Sequence, residues 1–165
     1  MHKTIYLVGF MGSGKSTIGR CLAERLGLPF ADLDDDIEAA AGRPIADIFA
    51  NDGEAAFRDA EHAALVARVQ SLAPAVVALG GGAYTFARNR EVLRGAGTSV
   101  WLDCPFERAL ARVAGFDHRP LAKDPAQFRQ LFERRTADYA LADVRIPVTS
   151  DDPEEAARAI VEVLG

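Results

Sequence analysis

The chain has 165 residues, of which 26% are charged and 49% hydrophobic, a balance typical of one globular domain rather than a disordered chain. It has 19 Lys and Arg residues against 24 Asp and Glu residues, so its net charge of −5 argues against binding to nucleic acids or anionic membranes. Cys21 and Cys104 lack metal-ligand spacing, and no apolar run is long enough for a signal peptide or a membrane span. We therefore expect a cytoplasmic protein with two free thiols.

Short apolar runs alternate with helical patterns along the chain. The predicted strands are Thr4–Val8, Pro29–Leu33, Ala75–Leu79, Thr98–Leu102 and Arg145–Thr149. The predicted helices are Lys15–Leu26, Ala56–Ser71, Pro105–Val113, Asp124–Ala140 and one that begins after Asp152. The strands are apolar without alternation, as is typical of strands covered on both faces. This order predicts an α/β fold with a five-stranded parallel sheet and helices on both faces.

The last helix has the clearest pattern. Asp152 is a good N-cap and Pro153 falls in the first turn. The spacing predicts one buried apolar face, formed by Ala156, Ala159, Ile160, Val163 and Leu164.

Two segments lie outside the strand–helix alternation. Ile37–Gly53 is a short helical stretch interrupted by Gly42, Pro44 and Gly53. The stretch from Gly115 to Pro125 is charged and rich in Gly and Pro, which predicts a mobile surface loop. We interpret both segments as insertions that can close over a ligand.

Gly9–Ser16 reads GFMGSGKS and matches the phosphate-binding pattern GxxxxGK[ST] between a strand and a helix. Glycines let backbone N–H groups surround a phosphate, and the start of the helix adds further donors. We expect Lys15 to reach the β- and γ-phosphates of a nucleotide, and Ser16 to ligate Mg²⁺. A GTPase is disfavoured because neither Asn51 nor Asn89 begins an Asn-Lys-x-Asp motif for reading guanine.

Acidic residues follow the second predicted strand. Ligands bind beyond the carboxyl ends of parallel strands, and Asp32 and Asp34 share a side if the strand continues through them. One of them could steady Mg²⁺ through water while the other accepts hydrogen bonds from substrate hydroxyls. The alternative is a helix cap, which we favour for Asp35 and Asp36.

Arg58 and a triple glycine are the next candidates. Glu54 and Glu61 flank Arg58 at i−4 and i+3, so a surface ion pair is one interpretation. In the other, Glu61 positions Arg58 for a ligand. Gly80–Gly82 directly follows the third strand, so that a ligand can contact the backbone there, although a flexible loop is the alternative.

These motifs together resemble those of shikimate kinases over essentially the whole chain. The matching stretches are Gly9–Ser16, Asp32–Asp34, Ile48–Glu61, Gly80–Gly82, Arg119–Leu121, and Arg135 with Tyr139. The resemblance implies the P-loop NTPase fold of nucleoside-monophosphate-kinase type, with strand order 2-3-1-4-5. It also implies a single kinase domain, 1–165, with a substrate-binding insertion at about 33–61 and a lid at about 114–125.

The resemblance further implies Mg²⁺-dependent transfer of the ATP γ-phosphoryl group to the 3-hydroxyl of shikimate, a step toward chorismate and aromatic amino acids. The implied catalytic residues are Lys15, Asp34 and Arg119. The implied shikimate ligands are Asp34, Arg58, Gly81, Gly82 and Arg135, with Arg134 as the alternative to Arg135. The implied ATP ligands are Gly12, Ser13, Gly14, Lys15, Ser16, Thr17, Arg112, Arg119 and Pro153. Ser16 and Asp32 are the implied metal ligands, Asp32 through water.

The chemistry of the substrate fits these residues, since planar guanidinium groups bind a carboxylate through paired hydrogen bonds. Two alternatives stay open. One is another small-molecule kinase of gluconate or nucleotide type on the same fold. The other is a nucleotide-binding regulator without catalysis, although Arg58, Arg119 and Arg135 argue against it. We expect a monomer whose partners are shikimate and ATP.

Overall fold

The computed structural model describes residues 3–114 and 124–165. Its strands are β1 (Thr4–Val8), β2 (Phe30–Asp32), β3 (Val76–Ala78), β4 (Gly97–Asp103) and β5 (Val144–Pro147). Its helices are α1 (Lys15–Leu26), α2 (Leu33–Ala41), α3 (Ile45–Gln70), α4 (Ala87–Leu93), α5 (Phe106–Ala114), α6 (Pro125–Tyr139) and α7 (Pro153–Leu164). A 3₁₀ turn at Ala83–Thr85 precedes α4.

In the described part of the chain, five parallel strands form one sheet in the order β2-β3-β1-β4-β5. β1 is central, with Ile5 opposite Val76 of β3 and Leu7 opposite Val100 of β4. Every residue of β1 from Ile5 to Val8 is buried, which requires cover on both faces because successive side chains point to opposite faces. The predicted fold class and strand order are confirmed.

The strand order also locates the site. The chain leaves β1 toward β2 and β3 on one side, and it later crosses to β4 on the other. In open parallel sheets a crevice forms outside the carboxyl ends of the strands where the order reverses in this way. The loops that follow β1, β2 and β3 therefore meet at one edge of the sheet.

The prediction for the end of β2 was wrong. The strand stops at Asp32 and α2 begins with the next residue, so Asp32 and Asp34 do not share one side of a strand. Asp32 itself caps α2, because its Oδ1 accepts the N–H of Asp34 at 2.9 Å. A cap was expected from Asp35 or Asp36, but Asp36 forms a paired ion contact with Arg68, with Oδ2 at 2.6 Å from Nε.

The interruptions predicted in the first insertion are confirmed. Gly42 ends α2 in a left-handed conformation, and Pro44 is the N-cap of α3. Gly53 has φ 87° and ψ 172°, which are not helical angles, so α3 consists of two helices joined at a kink. A positive φ of this size strains any residue with a Cβ, so glycine is the residue suited to the kink. The helix predicted from Ala56 is the second half of α3.

The short elements after β3 and the last turn of α7 differ from the predictions. The 3₁₀ turn and α4 were not predicted, because three and seven residues are too few to display a helical period. Asp152 caps α7 as predicted, and its Oδ1 accepts the N–H of Glu154 at 3.0 Å. The apolar face of α7 was only partly right, since Val163 and Leu164 are exposed in the final turn, where a chain end has fewer neighbours. The residues of α7 that are buried are Ala156, Ala157 and Ile160.

Both cysteines are free thiols, as expected. Cys104 is buried, and burial raises its pKa above the ordinary value, so the thiol stays protonated at neutral pH. Across residues 3–114 and 124–165, no helix is both long and apolar enough to cross a membrane.

Candidate active site

The loop between β1 and α1 is shaped for a phosphate group. Gly12 and Gly14 have left-handed φ angles of 80° and 91°, and a Cβ on Gly12 would lie 2.7 Å from the Ala109 carbonyl oxygen. Gly14 is the N-cap of α1 and makes no side-chain cap. The N–H groups of the first turn and the positive end of the helix dipole can therefore bind an anion.

Side chains of the loop and the first turn of α1 complete this cradle. The Lys15 amine turns back over the loop and donates to the carbonyl oxygens of Gly9 at 2.7 Å and Phe10 at 3.0 Å. Ser13 is buried, and its hydroxyl has no hydrogen-bond partner among the described residues. Thr17 is exposed and lies at the surface of the adjoining cavity. A cationic amine is thus held at the phosphate cradle.

Ser16 and Asp32 form a pair of oxygen ligands beside the loop. The Ser16 hydroxyl donates to Asp32 Oδ2 at 3.0 Å, while the other Asp32 oxygen caps α2. Hydroxyl and carboxylate oxygens are ligands that Mg²⁺ prefers. Within residues 3–114 and 124–165, no group of three or more His, Cys, Asp or Glu residues could hold a metal ion. A magnesium ion bound to this pair would take its other ligands from phosphates and water.

A cavity of about 740 Å³ opens beside the phosphate loop. It extends along the carboxyl edge of the sheet, from the loop and α5 to the ends of β2 and β3. The predicted site residues that line it are Gly12, Gly14, Lys15, Ser16, Thr17, Asp32, Asp34, Gly81, Arg112 and Pro153. The tertiary structure therefore brings most of the predicted nucleotide ligands and Asp34 to one cavity.

Arg112 lies over the phosphate loop. Its Nη1 donates to the Gly12 carbonyl oxygen at 3.0 Å, and its Nη2 lies 3.2 Å from Asp151 Oδ1. Arg108 donates to the same carboxylate at 2.6 Å, and these bonds from Arg108 and Arg112 lower the pKa of Asp151. Pro153 begins α7 nearby. Arg112 is thus held by the loop on one side and by Asp151 on the other.

Asp34 lies in the first turn of α2, where it lines the cavity. Burial, reinforced by the charges of Asp32 and Glu61, raises its pKa to about 6, while Lys15 acts in the opposite direction. A Cβ on Gly80 would lie 3.2 Å from Asp34 Oδ1, so the carboxylate lies against the glycine turn. A carboxyl group with this pKa changes its protonation close to neutral pH.

The triple glycine after β3 lies against two guanidinium groups. A Cβ on Gly82 would lie 2.6 Å from Arg58 Nη2, and a Cβ on Gly81 would lie 3.2 Å from Arg135 Nη1. Arg58 comes from α3 and Arg135 from α6. Glycine is needed at position 82 because any side chain would displace the guanidinium group of Arg58. These glycines therefore allow the close approach of two guanidinium groups, and contact of a ligand with their backbone stays a prediction.

Arg58 is held by a buried carboxylate. Its Nη1 lies 2.9 Å from Oε1 of Glu61, whose side chain is 1% exposed, while Glu54 is more distant at 3.6 Å from Nε. The rings of Phe57 and Phe86 each lie 5.1 Å from the Arg58 Cζ. Burial raises the pKa of Glu61, and the Arg58 charge opposes that rise. Arg58 is therefore a positioned cation rather than half of an ordinary surface ion pair.

Arg135 is a largely buried cation with no carboxylate at ion-pair distance in the part of the chain that the structure describes. Burial lowers the pKa of Arg135, and the neighbouring hydroxyl of Tyr139 supports its charged form. Its guanidinium group also lies 5.9 Å from the centre of the Phe10 ring. Arg134 is exposed, so of the two neighbouring arginines it is Arg135 that lies at the glycine turn.

Some predicted residues fall elsewhere. Arg58, Gly82 and Arg135 do not line the cavity itself but lie at the glycine turn that forms its end. Ser13 is buried beneath the loop. Arg119, with most of the predicted lid at 114–125, lies outside the described residues.

Sequence reasoning missed a buried contact behind the glycine turn. Asn89 of α4 donates from Nδ2 to the Ala83 carbonyl oxygen at 2.8 Å, and its Oδ1 lies 2.7 Å from Nδ1 of His62. His62 follows Glu61 on α3, so this contact joins α3, α4 and the turn. No sequence signal could have found it, because α4 itself was too short to predict.

Comparison with known proteins agrees with this geometry. A family model described as shikimate kinase matches residues 11–165. A shikimate kinase of Paramagnetospirillum magneticum is 47% identical over 98% of this chain and 84% of its own length. One of Persephonella marina is 43% identical over 99% of this chain and 98% of its own. The solved structure of a shikimate kinase from Acinetobacter baumannii in complex with shikimate superposes with a TM-score of 0.92 at 39% identity, covering 99% of this chain and 93% of that one.

Proposed function

The chain belongs to the shikimate kinase family, and from that premise we propose which of its residues bind each substrate and carry the reaction. It is an ATP-dependent kinase that phosphorylates shikimate on the route to aromatic amino acids. The γ-phosphoryl group passes from ATP to the 3-hydroxyl of shikimate.

One observation carries the proposed acceptor site: two guanidinium groups meet at the glycine turn, and Arg135 has no carboxylate partner among the described residues. A buried cation without a counter-ion is unfavourable until an anion binds beside it. The carboxylate of shikimate supplies that anion. We propose that Arg58 and Arg135 bind it through charged hydrogen bonds, against the backbone of Gly81 and Gly82.

Asp34 is the proposed partner of the shikimate hydroxyls. It lies between the phosphate loop and the glycine turn, so it can accept from the 3-hydroxyl while the carboxylate is held beyond it. Its raised pKa suits a group that takes the hydroxyl proton as the phosphoryl group arrives. Positioning of the acceptor oxygen is the larger part of this role, because phosphoryl transfer depends chiefly on alignment and charge stabilisation.

The phosphate loop is the proposed ATP site. Gly12, Ser13, Gly14 and Thr17 surround the phosphates, and Lys15 neutralises charge on the transferred group. Mg²⁺ would be held by Ser16 and, through water, by Asp32, and when bound it supplies further charge neutralisation at the phosphates. Arg112 and Pro153 are the proposed contacts of the adenine.

The substrate-binding insertion at about 33–61 covers α2 and the first part of α3, which carry Asp34 and Arg58. We propose that the lid at about 114–125 brings Arg119 to the phosphates. Loop closure excludes water, so that the phosphoryl group is transferred to shikimate and not to solvent.

The direct test is a substrate panel with ATP and Mg²⁺, in which ADP release is followed with no acceptor, shikimate, gluconate, a nucleoside monophosphate and the methyl ester of shikimate. We expect release with shikimate and little with the others. The ester tests recognition of the carboxylate separately from recognition of the hydroxyls, because it keeps all three hydroxyls but removes the negative charge. Turnover of gluconate or of a nucleotide in preference to shikimate would overturn the assignment, as would nucleotide binding without any acceptor-dependent release.

The pH profile tests the proposed role of Asp34. Since its pKa is raised to about 6, the carboxylate form predominates above that pH and is lost as the pH falls through it. We expect kcat/KM for shikimate to fall about tenfold per pH unit below about pH 6. Asp34→Asn should be far slower and should lack this inflection. An inflection near pH 6 that persists unchanged in the variant would remove Asp34 from the role of base.

Gly82→Ala tests the close approach of Arg58. Alanine is compatible with the backbone, because the φ of Gly82 is −97°, but the new methyl group overlaps the Arg58 guanidinium group. We expect the KM for shikimate to rise about tenfold or more, the equivalent of one charged hydrogen bond, with little change in the KM for ATP. Equal changes in both KM values would contradict the expected effect.

We also propose that the protein works as a cytoplasmic monomer. Its free thiols suit a reducing compartment, and no part of the proposed site requires a second copy of the chain. Light scattering coupled to size-exclusion chromatography would determine the mass, expected near 17.7 kDa.

A further inference from the structure

Tyr139 ends α6 four residues after Arg135. Its hydroxyl group lies at the proposed binding site of the shikimate carboxylate, which we call the acid site. The hydroxyl donates to the Gly81 carbonyl oxygen, and the guanidinium group of Arg135 lies against the same glycine and favours the charge balance at the phenol. A guanidinium group has donors and no acceptor, so toward Arg135 the phenol oxygen can act only as an acceptor.

The rest of the Tyr139 side chain is anchored in the core. The residue is 1% exposed, and its ring lies 6.3 Å from that of Trp101 on β4, at the centre-to-centre distance of a packed aromatic pair. Burial raises the pKa of its phenol well above the ordinary value, so the group stays protonated and remains a donor. The packed ring therefore holds the hydroxyl in one place, where it can position groups of the acid site.

The Tyr139 hydroxyl adjoins the two groups that are proposed to bind the carboxylate of shikimate. The Arg135 side chain is long and flexible, and it has no carboxylate at ion-pair distance in the described chain, so the neighbouring Tyr139 oxygen restricts where its donors point. The bond to Gly81 fixes the plane of the following peptide. Because a trans peptide holds its C=O and N–H antiparallel, the N–H of Gly82 is then directed away from Tyr139.

We propose that Tyr139 is a positioning residue for the acceptor acid: its hydroxyl orients the Arg135 guanidinium group and the Gly81–Gly82 peptide for a carboxylate. It does not touch the reacting atoms. The inference rests on the proposed function, since it assigns to Arg135 the carboxylate of shikimate. Pre-orientation lowers the entropy that the side chain loses when the ligand binds, so its effect falls on binding of the acid.

The test is Tyr139→Phe, which keeps the buried ring and removes only the hydroxyl. We expect the KM for shikimate to rise about 3- to 10-fold, the equivalent of one or more neutral hydrogen bonds, with kcat and the KM for ATP little changed. Tyr84→Phe is the matched control. Tyr84 is also buried beside the glycine turn, but its hydroxyl faces Ser99 at 3.5 Å and not the acid site, so its removal should leave all three constants unchanged.

A double-mutant cycle separates positioning from a purely structural role. If Tyr139 acts through Arg135, the Tyr139→Phe change should have a much smaller effect on the KM for shikimate in the Arg135→Ala background than in the parent. A loss of thermal stability with unchanged KM would overturn the inference. An equal effect in both backgrounds would overturn the role toward Arg135 and leave only the Gly81–Gly82 peptide as the group that Tyr139 orients. Failure of the proposed function looks different, because the unmodified protein would then not phosphorylate shikimate.

Discussion

Lys15→Ala is expected to lower kcat by at least about 10²-fold, the usual loss when one preorganised charge stabiliser is removed from a transition state. The Lys15 amine is held over the phosphate loop by the carbonyl groups of Gly9 and Phe10, and we propose that its charge acts there on the negative charge of the transferred phosphoryl group. The measurement is steady-state ADP release at saturating shikimate and ATP. Near-normal turnover in a folded variant would refute the assignment of the phosphate loop.

A control variant and a stability measurement show whether the lower kcat of Lys15→Ala comes from the missing charge. Lys3→Ala removes the same charge from an exposed position before β1 and should leave kcat unchanged. Because the Lys15 amine also bonds to loop carbonyls, the variant's thermal stability should be recorded beside its rate. A large loss of melting temperature in Lys15→Ala would mean that the loop had collapsed. The rate of Lys15→Arg, which keeps the charge, would then show whether the position of that charge at the phosphates affects kcat.

Arg135→Ala is expected to lower kcat/KM for shikimate by about 10²-fold or more, because two charged hydrogen bonds at about 1.5 kcal/mol or more each are lost. The KM for ATP should change little, since Arg135 lies against the glycine turn and does not line the cavity beside the phosphate loop. Arg135 gives a cleaner test than Arg58. Removal of Arg58 strands the buried Glu61 carboxylate, which costs about 3–5 kcal/mol of stability or forces Glu61 to take a proton.

Arg134→Ala is the matched control, because it removes the same side chain one position earlier, from an exposed site. It should keep the parent kcat/KM for both substrates. A larger effect from Arg134 than from Arg135 would reverse the assignment of the carboxylate ligand, and equal losses for both substrates in Arg135→Ala would argue for a change in fold.

The nucleotide half of the site was accessible from sequence because its residues are contiguous. Gly9–Ser16 contains the proposed backbone donors, the proposed cation and one proposed metal ligand within eight positions, and the local pattern of strand, glycines and helix dictates their conformation. The limits of β1 and α1 also agree with the predicted ones. The acceptor half differs, because its proposed ligands come from α2, α3, the glycine turn and α6.

The choice between Arg134 and Arg135 in the acceptor half could have been resolved by helical periodicity. Phe128, Leu131, Phe132, Arg135 and Tyr139 follow a helical spacing of 3 and 4, so Arg135 falls on the apolar stripe of α6 and Arg134 does not. A charged residue on such a stripe is an indication of a buried functional cation. The start of α2 could not be resolved in this way, because Asp32 is equally suited to end a strand and to cap a helix.

The amino-acid sequence by itself determined the alternation of strands and helices and the phosphate loop, since both depend on residues that are neighbours along the chain. Only the tertiary structure decided how deeply Glu61 is buried behind Arg58, that Arg135 has no carboxylate at ion-pair distance in the described chain, and that the pKa of Asp34 is raised to about 6. These properties arise from desolvation and from charges on distant segments, and both are fixed only when the helices pack around the carboxyl edge of the sheet.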